Sequence, residues 1–362
     1  MKFLLKTILL LVSASSCSND RSSDPAYIEA SAEYKLAKQK SDLDGIFISL
    51  TKLESMDELS IEQREEFTNL STAMDLLEKV RRNNADHDHE SVVLNAAQFL
   101  KLYPRNSEVR KLFTESGNIF NALEKAQSSL VTAFPNGEII HKIDENGTKE
   151  PDLVKMSNLI IDASIHVERA ISLDPNFVTT QKMKKDLEGT KRITCILLAQ
   201  RLYELSEVSV AGADQSARFA FNAIISIKNK YPSAFDLQET WSGYEPIVMK
   251  LKDDLEAQLA KLDETENIIR DLSTGSNVYK AVKNLRAETL EILDLLLDPR
   301  SGGLTDWSRN IDLAEKRWKK VNNELLDAMP NMDRIGEDVV SFASMWQGLK
   351  IYNNPETANL LK

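Results

Sequence analysis

Apolar residues recur at three- and four-residue intervals along almost the whole chain from Ala26 onward, the period of one face of an α-helix. Leu43, Ile46, Phe47, Leu50 and Leu53 form an early stripe of this kind. Ser60 and Gln63 have the spacing of a capping box. They open a helix with Phe67, Leu70, Met74 and Leu77 inward, ending at Asn83 and Asn84. Val92, Ala96, Phe99 and Tyr103 stripe the next helix, which must stop before Pro104 because proline disfavours a helical residue ahead of it. Ser107 is expected to cap another, carrying Val109, Phe113, Phe120, Leu123 and Leu130 and closing at Pro135.

Residues 136–152 break the rhythm. Two Asn-Gly pairs flank Ile139, Ile140 and Ile143, which predicts a loop or small hairpin and the one strand signal of the chain. Helical spacing resumes at Leu153. Cys195, Leu198, Ala199, Leu202 and Leu205 share one face, and Ile193, Ile196 and Leu197 cover the adjoining one. A helix apolar nearly all round is central, so Cys195 is read as a core residue. Gly212 and Ala213 are expected to interrupt the pattern before a helix that runs to Lys230, ahead of Pro232.

From there the helices lengthen. Residues 247–272 predict one strongly charged helix, and Gly275 and Ser276 its end. Residues 278–297 follow, stopped by Asp298 and Pro299, and Ser301, Gly302 and Gly303 mark a flexible turn. Trp307, Ile311, Ala314, Trp318, Val321 and Leu325 alternate three- and four-residue steps like a coiled-coil seam. A last helix is expected over 332–352. Trp241 and Trp346 lie outside any clear stripe and are read as core or as groove lining. The predicted fold is all-α. A helical-hairpin repeat part over 26–233 precedes a long-helix bundle over 234–362, with the boundary between Pro232 and Gly243.

The beginning of the chain has a different grammar. Lys2 and Lys6 give a basic start, Leu9 to Val12 lie in a short apolar run, and Ser13, Ala14, Ser15 and Ser16 lead to Cys17. This is the layout of a secretory signal peptide over 1–16. Its apolar part is shorter than the roughly 20 residues a membrane-spanning helix needs. Small residues directly before a cysteine resemble the lipobox of bacterial lipoproteins, with Ala14 where that family usually has Leu. The resemblance implies a diacylated Cys17 as first mature residue, and ordinary cleavage near residues 14–16 is the alternative. Residues 17–25 would then be the lipidated cysteine and a polar tether of about 25 Å at full extension. In Gram-negative lipoproteins Asp after the cysteine is a sign of inner-membrane retention. Ser18 here implies the outer membrane if the host is Gram-negative.

Composition narrows the function classes. A chain of 362 residues can bury a core without disulfide staples. Its formal charge of −11 opposes nucleic-acid binding, which draws on Lys and Arg neutralising phosphates. The same charge opposes polybasic membrane attachment, so membrane contact is expected through lipid on Cys17, at about 0.8 kcal/mol per buried CH₂. Only 12 glycines are present, about half the usual ~7 %, which favours helix over a turn-rich β fold.

A phrase also repeats: an aromatic or aliphatic residue, then Pro, then a capped helix, at Pro104, Pro135, Pro175 and Pro232. Stacked helix pairs of about 34 residues with insertions would space them so. Ala163, Val167, Ala170 and Pro175, with AISLDPNF from Ala170, are similar to the second-helix signature of a tetratricopeptide repeat. The preceding half-repeat lacks that family's Trp, Leu-Gly and Tyr positions. Ala220 before Pro232 matches again, while Ile227 departs. The resemblance implies a solenoid whose concave face binds peptides or proteins, and it implies no chemistry.

The densest chemistry is Asp86, His87, Asp88, His89 and Glu90. Imidazoles and carboxylates in such a run could ligate zinc or another divalent ion. An H-x-H pair shares a face on a strand, whereas residues two apart on a helix diverge by about 200°. Between two helices these residues are read first as caps. His141 and His166 are read as structural or exposed. No H-E-x-x-H, Walker-type or G-x-S-x-G string occurs. The basic runs 182–185 and 317–320 alternate with apolar positions and read as solvated faces.

The expected protein is an envelope-anchored lipoprotein acting as a protein-binding or assembly module. It is expected to work without catalysis or cofactor, with a protein partner in the envelope and no nucleic acid. A metal- or ligand-binding bundle resting on residues 86–90 is one alternative. A cell-wall hydrolase using two carboxylates that face one cleft is the other.

Overall fold

The computed structural model describes residues 24–40, 42–144, 146–272, 277–298, 302–329 and 334–362, with the side chains of 254–264 left out. Residues 1–23, with Cys17 and most of the segments read from sequence as signal peptide and tether, lie outside the described residues. The fold is all-α apart from one small hairpin. No described helix is long and apolar enough to cross a membrane.

The chain divides into two compact units: Met1–Asn118 with Tyr352–Lys362, and Ile119–Ile351. The boundary read from sequence at 233/234 falls inside the second unit, between two of its helices.

The first unit holds α1 (Pro25–Lys40), α2 (Leu43–Ser55), α3 (Ile61–Ala85), α4 (His89–Leu102), the start of α5 (Ser107–Ala133), and the last helix, Pro355–Leu361. Each of α2 to α4 packs on the helix before it. The side chain of Asp42 caps α2 by accepting from the Gly45 N–H. Ser60 and Gln63 form the expected reciprocal box at the start of α3. The N-terminal cap of α5 is Asn106, whose Oδ1 accepts from Val109 N at 2.9 Å, rather than Ser107. Asn106 is three residues from an N–H that needs a partner, and Ser107 already belongs to the first turn.

Two apolar clusters fill this unit. Leu50, Leu53, Leu70 and Ala30 join α1 to α3, with Phe47 stacked on Phe67 at 5.7 Å. Leu77, Val80, Val92, Phe99 and Val109 join α3, α4 and α5. Arg81 reaches from α3 to Glu108 with two parallel bonds of 2.8 Å.

The second unit contains the hairpin of β1 (His141–Ile143) and β2 (Lys149–Pro151), antiparallel with Lys142 opposite Glu150. Gly147 turns it at φ 79°, a conformation open to glycine without strain. This agrees with the strand signal read between the Asn-Gly pairs. Then follow α6 (Leu153–Leu173), α7 (Val178–Lys230), α8 (Leu237–Leu272), α9 (Asn277–Leu297), α10 (Gly303–Ala328) and α11 (Ile335–Gly348). Pro355–Leu361, in the first unit, is α12.

Three expectations about these helices need correction. Gly212 does not interrupt α7, which is continuous over 53 residues. Interior glycine costs about 1 kcal/mol against Ala. Ser209, Ala213, Ala217, Ala220 and Ile224 carry one buried stripe through the position and outweigh it. Pro246 lies inside α8, which starts at Leu237 rather than at 247. Asp236 caps the early turns through Glu239 N, and the buried Trp241 anchors them. The last helix expected over 332–352 is α11, ending at Gly348, with α12 separate from it. Asn354 caps α12, and Pro355 suits a first helical turn.

α7, α8, α9 and α10 pack on one another as long helices. The antiparallel course of α9 and α10 shows in two contacts. Trp307 Nε1 donates to Leu296 O near the turn, and Arg317 pairs with Glu288 and Glu291 further along. All four tryptophans are core residues, Trp241 and Trp346 included, and so is Cys195. Ala163, Val167 and Ala170 are buried on α6, with Pro175 in the turn to α7.

Candidate functional site

The run Asp86 to Glu90 joins α3 to α4, and the turn gives these side chains separate tasks. Asp86 ends α3, with its N–H bonded to Arg82 O. His87 adopts φ 57°, in the left-handed region, which reverses the chain. Asp88 caps α4 by accepting from Ser91 N. His89 turns inward, 5 % exposed, with Nδ1 3.0 Å from the Ser116 hydroxyl on α5. Glu90 accepts the Asn354 N–H at 2.6 Å and so holds the start of α12. Among the described residues, no three His, Cys, Asp or Glu side chains are grouped so as to hold a metal ion. His141 lies in β1, and His166 is half-buried on α6 with Nε2 3.8 Å from Asp162.

A concave space in the first unit lies elsewhere. The hairpin of α3 and α4 brings the C-terminal end of α4 beside the first turns of α3. Glu62, Glu65, Glu66 and Asn69 on α3, with Leu102 and Tyr103 at the end of α4, line an open groove of about 330 Å³. Leu102 is 41 % exposed there.

The three glutamates differ in their surroundings. Glu62 sits in the first turn of α3, where the helix dipole favours negative charge. Hydrogen bonds from its own backbone N–H and from the Ser60 hydroxyl hold its carboxyl below the usual range. Glu66 accepts from the Tyr34 hydroxyl at 2.6 Å and from Lys38 Nζ at 2.8 Å, both reaching over from α1. Lys38 is itself 5.2 Å from the centre of the Tyr34 ring. The bonds to Glu66 and then to Tyr34 raise the Lys38 ammonium above its ordinary value. Glu65 is exposed and has no hydrogen-bond or ion-pair partner among the described residues. Burial, then the Glu66 charge, raises the Tyr103 phenol.

Sequence reasoning missed this groove. Glu62, Glu65 and Glu66 do not stand out in a chain with 56 Asp and Glu residues, and Tyr103 reads as the last member of a stripe. The spacing of Glu62, Glu65, Glu66 and Asn69, on one side of two helical turns, was the available signal. It gains meaning only when the end of α4 lies across it. No family model, curated protein or solved structure matches this chain.

Proposed function

We propose that the chain is an exported lipoprotein, anchored to the envelope by acyl groups on Cys17, whose helical body works by holding a protein partner.

 The body would need neither catalysis nor cofactor. The outer membrane is the proposed location, with the tether of 17–25 setting the distance from the lipid surface. The sequence of 1–17 supports the address. The observation that carries the binding role is the open α3–α4 groove, which places the exposed Leu102, the ring of Tyr103 and Glu65, without a partner among the described residues, around one space. The resemblance to tetratricopeptide repeats, carried by Ala163, Val167, Ala170 and Pro175 of the second unit, adds to this reading, because that family binds peptides on a concave face.

The test uses cells grown with labelled palmitate. The native chain is expected to take up label and to sediment with the envelope. Cys17→Ser is expected to lose the label and leave the membrane fraction. A native chain that stays unlabelled and cytosolic would overturn the address.

The wall-hydrolase reading keeps one observation in its favour, since the groove presents more than one carboxylate to a single cleft. Its chemistry fits less well. A general acid needs a raised pKa, whereas the Glu62 carboxyl is lowered and Glu66 is engaged by Lys38. Release of soluble fragments from purified wall polymer, abolished by Glu65→Gln, would favour that reading over binding.

A further inference from the structure

The groove also indicates what kind of partner it takes. We propose that it seats a cationic side chain, Arg or Lys, of a partner segment, with an apolar neighbour of that side chain resting on Leu102. This rests on the binding role proposed above and names the chemistry of its partner.

Three observations carry it. First, the wall already holds one cation of its own: Lys38 Nζ donates to the Glu66 carboxylate and to the Tyr34 hydroxyl, each at 2.8 Å. Glu65 and Tyr103 bring a second carboxylate and phenol to the groove, and among the described residues no cation pairs with Glu65. Second, the three glutamates line one space yet are not grouped to hold a metal ion. A guanidinium or ammonium group on a long stem suits such spread acceptors, because its donors diverge. Third, the space is lined by Leu102 as well as by carboxylates, so the stem and a neighbouring aliphatic residue have a surface to cover. Lys101 and Arg105 flank Leu102 and Tyr103 in sequence, and neither lines the groove.

The experiment measures fluorescence anisotropy of a labelled amphipathic peptide, with Leu and Arg at helical spacing, titrated with the purified full chain. A second peptide carries Glu in place of Arg. The Arg peptide is expected to bind, more weakly at high salt as exposed charges are screened, and the Glu peptide is not. Glu65→Gln is expected to weaken binding about tenfold, equivalent to about 1.4 kcal/mol. Glu204→Gln with Glu207→Gln, a charge loss on α7 in the other unit, is expected to leave it unchanged. Circular dichroism checks that each variant is folded. The proposal is overturned if the Arg peptide does not bind the native chain. It is equally overturned if Glu65→Gln binds as well as native, or if the α7 pair weakens binding as much as Glu65→Gln. A chain that is palmitate-labelled and envelope-bound but ignores the Arg peptide would refute this inference and leave the address standing.

Discussion

At the residue scale, the clearest case is His87. Its φ of 57° is costly for a side chain with a Cβ and costs nothing for glycine. His87→Gly is therefore expected to be neutral or to stabilise by up to ~1 kcal/mol, and His87→Val to destabilise, both read by urea unfolding. A histidine kept as a metal ligand would instead show loss of bound metal in both variants. The tryptophans give a second comparison. Trp307 Nε1 donates to Leu296 O, and Trp346 Nε1 to Thr190 Oγ1 at 3.1 Å, whereas buried Trp241 Nε1 has no partner among the described residues. Replacement by Phe removes the N–H in each case. Trp307→Phe and Trp346→Phe are expected to cost about 1 kcal/mol more than Trp241→Phe, because a buried acceptor is left behind.

The pair Arg81–Glu108 is expected to contribute in a pH-dependent way. Hydrogen bonding to Arg81 lowers the Glu108 carboxyl below its ordinary value of about 4.3. A lowered folded-state pKa stabilises fully above the unfolded value and loses that contribution as pH falls through the folded one. Both partners are about half exposed, so the contribution is at most about 1 kcal/mol. The stability difference between the native chain and Glu108→Gln should be present at pH 6 and shrink toward pH 3.

At the scale of elements, the turn from α3 to α4 shows how one short run serves several helices. Asp86 ends one helix, Asp88 starts the next, and Glu90 receives the N–H of Asn354 at the start of α12. Glu90→Ala is expected to speed amide exchange over 355–361 while leaving α3 protected, since removing an acceptor frees a helix end rather than a core. Equal exchange in the variant and the native chain would contradict this role.

The same scale explains what could be read in advance. The stripe of Leu70 and Leu77 and the box of Ser60 and Gln63 are local signals, and each element they predict is present. The continuity of α7 through Gly212, and of α8 through Pro246, depends on buried neighbours from other helices that a local window does not contain. The groove was hidden for the same reason. Its two walls are far apart in the chain, and one of them, Tyr103, looks like core until Leu102 is seen to be exposed.

At the scale of the whole molecule, the proposed picture has two parts. Residues 1–17 supply an address and an anchor, and an acidic helical body supplies a surface for another protein. Within the first unit, the apolar contacts of Leu77, Val80, Val92 and Phe99 hold α3 and α4 together, and with them Glu65 and Tyr103. Its central claim is that the α3–α4 groove is where the partner is held. The most direct measurement places a photoreactive amino acid at position 69 or 102, and at exposed position 222 on α7 as a control, and irradiates intact cells. The account predicts one adduct of defined mass from positions 69 and 102, weakened by Glu65→Gln and absent from position 222. Adducts of equal yield from all three positions, or none from the groove, would contradict it.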